Sequence, residues 1–78
     1  MSKAQLEYLP TAALRPWQRN ARTHSRKQVR QIADSIRRFG FTNPVLVDHE
    51  NSILAGHGRV AAAELLSMNE VPCIRLER

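Results

Sequence analysis

The longest regular pattern in the chain is a row of apolar residues spaced three or four apart. It comprises Val29, Ile32, Ala33, Ile36 and Phe39. This spacing predicts an amphipathic helix over Arg26–Phe39, with one apolar face against a core. Ser25 and Gln28 suit a capping box at its start, and Gly40 suits a left-handed cap at its end. The other side of this helix would carry Lys27, Arg30, Asp34, Arg37 and Arg38.

Four short apolar segments predict strands, at Gln5–Leu9, Val45–Val47, Ile53–Ala55 and Val71–Leu76. We expect the strand at Val45–Val47 to be buried on both faces, because all three of its residues are apolar. The middle pair would form a hairpin, and the alanine-rich stretch Arg59–Leu66 predicts a second helix. The stretch from Thr11 to Thr23 has no sustained period and is interpreted as a turn leading into a basic loop. The predicted fold is α+β, one domain over residues 1–78 with a mixed sheet and two main helices, in the order β–loop–α–β–β–α–β.

Size and composition exclude several classes. A chain of 78 residues with 42% hydrophobic and 24% charged residues is globular in composition but has a small core. No apolar run approaches the roughly 20 residues that cross a bilayer, and the start lacks a secretory signal pattern. The single cysteine, Cys73, excludes an intramolecular disulfide and a cysteine-based zinc cage. We therefore expect a cytoplasmic protein that does not contact membranes.

The positive charge is concentrated in one segment. The net charge is +5, but residues 15–38 carry eight basic residues and one acidic residue, so the rest of the chain sums to −2. Such asymmetry favours a polyanionic partner, and arginine is the better side chain for bidentate phosphate contacts. We assign a DNA-contacting basic face to Arg19, Arg26, Arg30 and Arg37. The alternative is a solvated basic surface without a partner.

A glycine-rich junction precedes the second helix. The sequence Ala55-Gly56-His57-Gly58-Arg59 runs from a strand, through a turn, to a helix N-terminus. Glycines allow the backbone to approach a ligand closely, and the first N–H groups of a helix attract anions. Arg59 could add a guanidinium fork on a phosphate. The other interpretation is a tight turn in which the glycines only relieve steric strain. In either case we expect His57, between two glycines, to be exposed, either contacting a ligand or only filling the loop.

Several motifs, taken in order, resemble the ParB/sulfiredoxin-like superfamily, and in particular the N-terminal domain of ParB partition proteins. They are Asn20-Ala21-Arg22, Ile32-Ala33-Asp34-Ser35-Ile36, Phe39-Gly40-Phe41, Asn43-Pro44-Val45-Leu46-Val47, Ala55-Gly56-His57-Gly58-Arg59 and Val71-Pro72. The residues of the glycine motif, Ala55–Arg59, are most similar to those of ParB-like domains that precede phage-type DNA methyltransferases. The resemblance runs from Leu6 to Leu76 and implies a domain of a longer protein.

The resemblance implies a site for nucleotide phosphates. In ParB a Gly-Glu-Arg-Arg box binds CTP, and Gly56, Gly58 and Arg59 map onto it, while His57 stands at the glutamate. We expect phosphate binding by Gly56, His57, Gly58 and Arg59, together with Arg22, which the family motif folds onto this loop. The implied cofactor is CTP or another nucleotide, with Mg²⁺ only when nucleotide is bound, and no protein metal site or catalytic residue is assigned.

The implied function is a phosphate- or nucleotide-binding, DNA-associated module of a partition or DNA-modification protein, with a homodimer in the full-length protein. The alternative is an enzyme that uses residues 56–59, either a ParB-like nuclease or a CTP or ATP hydrolase or phosphotransferase. Sulfiredoxin activity is not expected, because the catalytic cysteine of that family's loop is replaced here and Cys73 lies in the last strand.

Overall fold

The computed structural model describes residues 6–16 and 25–76. Two residues to which the sequence analysis assigns a site, Arg19 and Arg22, lie outside these ranges, as does Gln5 at the start of the first predicted strand. The remaining assigned residues belong to described helices or to the loop before the second helix.

A five-stranded mixed sheet organises the described part of the chain. The strands are β1 (Leu6–Pro10), β2 (Arg15–Pro16), β3 (Val45–Val47), β4 (Ser52–Ala55) and β5 (Glu70–Arg75), and the helices are α1 (Arg26–Phe39) and α2 (His57–Leu65). The order across the sheet is β1-β5-β3-β4-β2. The strand pairs β3–β5 and β2–β4 are parallel, whereas β1–β5 and β3–β4 are antiparallel. The predicted α+β class, mixed sheet and element order are confirmed.

The stretch after β1 holds more structure than its sequence indicated. A single 3-10 turn, Thr11–Ala13, follows β1, and the chain then forms the two-residue strand β2. Arg15 N–H donates to Asn51 O at 2.9 Å, so β2 is held by the neighbouring turn. A strand this short has no periodicity of its own, which is why its sequence did not predict it.

Helix α1 has the predicted boundaries and the predicted capping box. The Ser25 hydroxyl accepts from the Gln28 N–H at 3.1 Å, and the Gln28 side chain accepts from the Ser25 N–H at 3.1 Å. Gly40 ends the helix with φ at 79° and ψ at −175°, so the predicted left-handed cap is wrong, although this region of backbone space also suits glycine. The apolar stripe is only partly covered, because Ala33 is buried while Phe39 remains 68% exposed.

The core lies between the sheet and α2. Val45, Val47, Val71 and Cys73 are fully buried, and Val60 and Ala63 of α2 belong to the same cluster. Helix α1 packs mainly against α2. The expectation that β3 is buried on both faces is wrong, because Leu46 is only half-buried on the side away from α2. Within residues 6–16 and 25–76, neither helix has the length and apolar character needed to cross a membrane.

Candidate functional site

The glycine loop joins the end of β4 to the start of α2. Gly56 adopts a left-handed conformation, with φ at 104° and ψ at 22°, and occupies the cap position of α2. Its carbonyl accepts the first helical hydrogen bond, from the Val60 N–H at 3.0 Å. The N–H groups of residues 57–59 therefore lie before the start of the helical ladder. No side chain caps this end, and the first turn of α2 contains no acidic residue.

The two glycines of the loop have different roles, because the second one lies inside α2. The predicted start of this helix is therefore wrong. Helix α2 begins at His57 rather than Arg59 and ends at Leu65 rather than Leu66. Gly58 is thus a buried residue of the first helical turn with an ordinary negative φ. The strand β4 ends at Ala55, and the left-handed conformation of Gly56 alone is enough to turn the chain into the helix.

The Arg59 side chain folds back over Gly56. A Cβ at Gly56 would lie 3.2 Å from Arg59 Nη2 and 3.4 Å from Nε, and also 3.4 Å from the Val45 Cα. The absence of a side chain at Gly56 therefore leaves the space that the guanidinium occupies. Arg59 Nε is buried, and none of the described residues accepts a hydrogen bond from it. A cationic donor with no acceptor in the described part of the chain thus lies beside the positive end of a helix.

His57 is more enclosed than its place between two glycines suggested. The residue is half-buried, and its Nε2 atom is inaccessible to solvent. The expectation of an exposed His57 is wrong, because the imidazole belongs to the first turn of α2 rather than to a projecting loop.

The residues of the predicted basic face that the structure describes lie on one helix. Arg26, Arg30 and Arg37 are all exposed side chains of α1. Arg26 and Lys27 begin the helix, and no acidic residue occupies its first turn. Positive side chains there oppose the helix dipole, so this end of α1 is strongly electropositive.

Two titratable groups outside the glycine loop have shifted pKa values, and both shifts have structural causes. Burial raises the pKa of the Cys73 thiol, whose Sγ contacts the Val71 carbonyl at 3.4 Å. Backbone N–H groups, first that of Ser52, lower the pKa of Asp48 in the turn between β3 and β4. In the described ranges, no three His, Cys, Asp or Glu residues are grouped as they would be to hold a metal ion.

Sequence reasoning missed one part of the site, the close approach of the Val45 backbone to Gly56. Val45 was recognised only as a strand residue. The motif Asn43-Pro44-Val45 contains no signal for this contact, because it arises when β3 pairs with β4 and places Val45 beside the loop.

Comparison with a family model and with known sequences relates this chain to ParB and ParB-like proteins. The family model for the ParB N-terminal domain matches residues 1–77. The chain is 54% identical over 74 residues to the ParB-like nuclease domain-containing protein YnaK of Escherichia coli K12, covering 95% of this chain and 85% of that protein. It is 34% identical over 70 residues to the chromosome-partitioning protein Spo0J of Thermus thermophilus, covering 85% of this chain and 26% of that protein.

Two solved structures share the fold. Sulfiredoxin from Arabidopsis thaliana superposes with a TM-score of 0.83 at 22% identity, over 95% of this chain and 86% of that chain. C-terminally truncated ParB from Caulobacter crescentus, complexed with CTP-gamma-S, superposes with a TM-score of 0.81 at 25% identity, over 95% of this chain and 45% of that chain. The likeness to sulfiredoxin concerns the fold, whereas the family model matches nearly the whole chain. The chain belongs to the ParB N-terminal domain family.

Proposed function

We propose that this ParB N-terminal domain binds the phosphate groups of a nucleotide at the start of α2 and contacts DNA through the exposed arginines of α1. In this role it is a phosphate-binding, DNA-associated module of a partition or DNA-modification protein. The family relationship supports the general role, and the ParB of Caulobacter crescentus is described as a complex with CTP-gamma-S. The finer assignment rests on the geometry of the loop.

One observation supports the phosphate site most directly, namely the buried Arg59 Nε, which has no acceptor among the described residues. Leaving a buried donor of a charged group unsatisfied is costly. A phosphate oxygen beside the guanidinium would supply the acceptor. The same oxygen would lie at the positive end of α2, where a negative charge is favoured.

The residues at the start of α2 fit a phosphate group, and each of them would have a distinct task in binding it. Gly56 admits the guanidinium by having no side chain, and the N–H groups of residues 57–59 would donate to phosphate oxygens. Arg59 would neutralise charge and orient the group through its planar fork. A bound nucleotide would supply the phosphate chain and a carrier for Mg²⁺, while this chain's residues bind and orient it. Arg22 remains a prediction for the same site.

The test is calorimetry of the 78-residue chain with CTP, ATP and pyrophosphate. Arg59→Ala should weaken binding by about 1.5–3 kcal/mol, the scale of a hydrogen bond to a charged group. Arg59→Lys should recover only part of this loss, because an ammonium lacks the fork geometry. Arg38→Ala is the matched control, since it removes an exposed arginine from the end of α1 and should leave binding within about twofold of the parent.

Circular dichroism and thermal melting must show that each variant is folded. The phosphate assignment is wrong if folded Arg59→Ala binds all three probes as tightly as the parent. It is also wrong if Arg38→Ala weakens binding as much as Arg59→Ala does, since the effect would then reflect total charge rather than a site.

A second candidate function is nuclease activity, favoured by the name of the Escherichia coli relative, a ParB-like nuclease domain-containing protein. In a plasmid-nicking assay with Mg²⁺, a nuclease would convert supercoiled DNA to the open circular form. Loss of nicking in Arg59→Ala would place that activity at the same loop. An inactive parent that still binds nucleotide would leave the binding module as the function.

A further inference from the structure

The last residue of α1, Phe39, is an aromatic side chain that the described part of the chain leaves 68% exposed. Gly40 follows it without a side chain, and a Cβ there would meet nothing within 4 Å, so the surface beyond the end of the helix is open. A single exposed apolar residue needs no explanation by itself. What distinguishes Phe39 is the set of charged and polar groups beside it.

The Arg38 guanidinium lies over the ring of Phe39, with its Cζ 5.4 Å from the ring centroid. This distance is typical of a cation–π contact. Because the guanidinium covers one face of the ring, the exposed surface of Phe39 must include the other face. Arg38 is itself exposed, and no carboxylate of the described residues forms an ion pair with it. An accessible aromatic face thus lies beside a cation that has no anionic partner within the described ranges.

Helix periodicity places Phe39 near a second row of polar side chains, separate from the proposed DNA face. This second row consists of the exposed residues Lys27, Gln31 and Arg38. With about 3.6 residues per turn, they lie within roughly 40° of one another and roughly 100° from the arginines of the proposed DNA face. Asp34, the one acidic residue of α1, lies between the two rows. Phe39 lies beyond the second row on the side away from those arginines, about 18 Å along the axis from Lys27.

These groups match the chemistry of a single-stranded nucleic acid. Positive and amide side chains bind the phosphates and sugars of a strand, and an aromatic face stacks on a base whatever its identity. In a duplex the faces of each base are covered by its neighbours, so only an unpaired base offers its face to a ring on the protein surface. A protein or membrane contact would require a wider apolar patch, whereas the nearby exposed side chains of α1, Ser35 and Arg38, are polar.

We infer that the C-terminal end of α1 binds a single-stranded nucleic acid, with an unpaired base stacked on Phe39 and the backbone of the strand on the second row. This goes beyond the proposed function, in which a different row of α1 contacts phosphates. Stacking of one base contributes about 5- to 150-fold in affinity, less than the roughly 1,000-fold of a millimolar dissociation constant. A free nucleotide would therefore not be retained on Phe39, and nucleotide titrations report on the start of α2.

Fluorescence anisotropy with two labelled strands of about 12 nucleotides tests this inference. One strand is oligothymidylate, and the other is an abasic strand that keeps the phosphates but lacks the bases. The parent should bind oligothymidylate about 5- to 150-fold more tightly, and Phe39→Leu should reduce this ratio to within about twofold of unity, because it removes the aromatic face. Tyr8→Leu is the matched control and should keep the parent's ratio, since Tyr8 is also an exposed aromatic residue, at 61%, but lies on β1.

Salt separates stacking from charge. Raising the salt concentration from about 50 to 200 mM should weaken the binding of both strands but leave their affinity ratio unchanged, because stacking releases no counterions. Duplex binding, which tests the proposed function, should be unchanged in Phe39→Leu. Failure of the proposed DNA contact and failure of this inference are therefore distinguishable.

Phe39→Trp provides a second measurement if the leucine variant does not fold. Its affinity ratio should be at least that of the parent, and oligothymidylate should quench the emission of the added indole beyond any change seen in the parent, which has only Trp17. Equal binding of the two strands by the parent overturns the inference, as does a ratio that disappears at the higher salt concentration. So does a folded Phe39→Leu that keeps the parent's ratio, a Tyr8→Leu that loses it, or an added indole whose emission the strand leaves unchanged.

Discussion

At the scale of single residues, the loop before α2 shows that two glycines two positions apart in a motif can have unrelated roles. Gly56 has φ at 104° and lies under the Arg59 guanidinium. Gly58 has an ordinary helical backbone and is buried. Only Gly56 needs to be glycine for its conformation, and the same residue leaves space for the cation. The loop therefore combines a backbone requirement and a binding requirement at one position.

Gly56→Ala and Gly40→Ala form a matched pair that separates these requirements. Both glycines have positive φ, but a Cβ at Gly40 meets nothing within 4 Å, whereas one at Gly56 meets Arg59. Gly40→Ala should cost about 1–3 kcal/mol of stability, because φ at 79° with ψ at −175° is a region essentially restricted to glycine, and should leave phosphate binding unchanged. Gly56→Ala should cost about 1–2 kcal/mol, the usual penalty for a left-handed alanine, and should also weaken phosphate binding, because the guanidinium must shift.

Urea unfolding and calorimetry with pyrophosphate on both variants provide the measurement. Equal binding by the two folded variants would contradict the role assigned to the contact between Gly56 and Arg59.

At the scale of elements, α1 illustrates how a helix can be defined locally and still dock loosely. Its capping box and its C-terminal glycine are both present, and both are contacts within a few residues of sequence. Its apolar side buries Ala33 fully but leaves Phe39 exposed. Contacts with α2 hold it in place, so the opposite side, with Arg26, Arg30 and Arg37, faces solvent and is accessible to a polyanion.

Charge changes on α1 should alter the salt dependence of DNA binding. With about 3–5 phosphate contacts, the slope of log affinity against log salt should be about −3 to −4. Arg26→Gln/Arg30→Gln should flatten the slope by about two, because each lost contact removes about 0.9. Ala12→Glu/Thr42→Glu is the control, since it lowers the net charge from +5 by the same two units at exposed positions outside α1.

Fluorescence anisotropy at several salt concentrations, with a fluorescent duplex, measures these slopes. A control slope that falls as far as that of the α1 variant would mean that net charge, and not the face of α1, determines binding. A parent that does not bind even at low salt would remove DNA from the proposed function.

At the scale of the whole molecule, contacts between residues near the two ends of the chain hold β1 against β5. The Thr11 hydroxyl donates to Met68 O at 2.8 Å, and the Thr11 N–H donates to Asn69 O at 2.9 Å. Near the other end of β1, Arg75 Nε donates to Glu7 at 3.0 Å. Between these contacts Cys73 of β5 lies opposite Glu7 and is fully buried. The burial of the thiol therefore depends on the assembled sheet and not on any local segment.

Cys73 should make folding stability sensitive to alkaline pH. Burial raises the pKa of the thiol above its ordinary value of 9.0, so the folded state retains the proton that the unfolded state loses. The contribution of Cys73 is fully present below the unfolded pKa and is lost as the pH rises toward the folded pKa. Urea unfolding of the parent and of Cys73→Ala between pH 7 and 10 should show a stability difference that shrinks as the pH rises.

The thiol in the folded parent should also react slowly with a thiol reagent at pH 8, compared with the urea-unfolded chain. A stability difference that does not depend on pH, together with rapid labelling of the folded protein, would contradict the burial of Cys73.

Features that depend on near neighbours in the chain were predictable from the amino-acid sequence. The boundaries and capping box of α1, the mixed α+β order and the position of the glycine loop follow from periodicity, capping residues and glycine placement, and the motifs identify the family correctly. Tertiary structure decided which glycine is left-handed, where α2 begins and that Arg59 folds over Gly56 beside Val45. It also decided that β2 exists and that one side of β3 stays partly open. These features require contacts between segments far apart in sequence, whose geometry is set only when the sheet assembles.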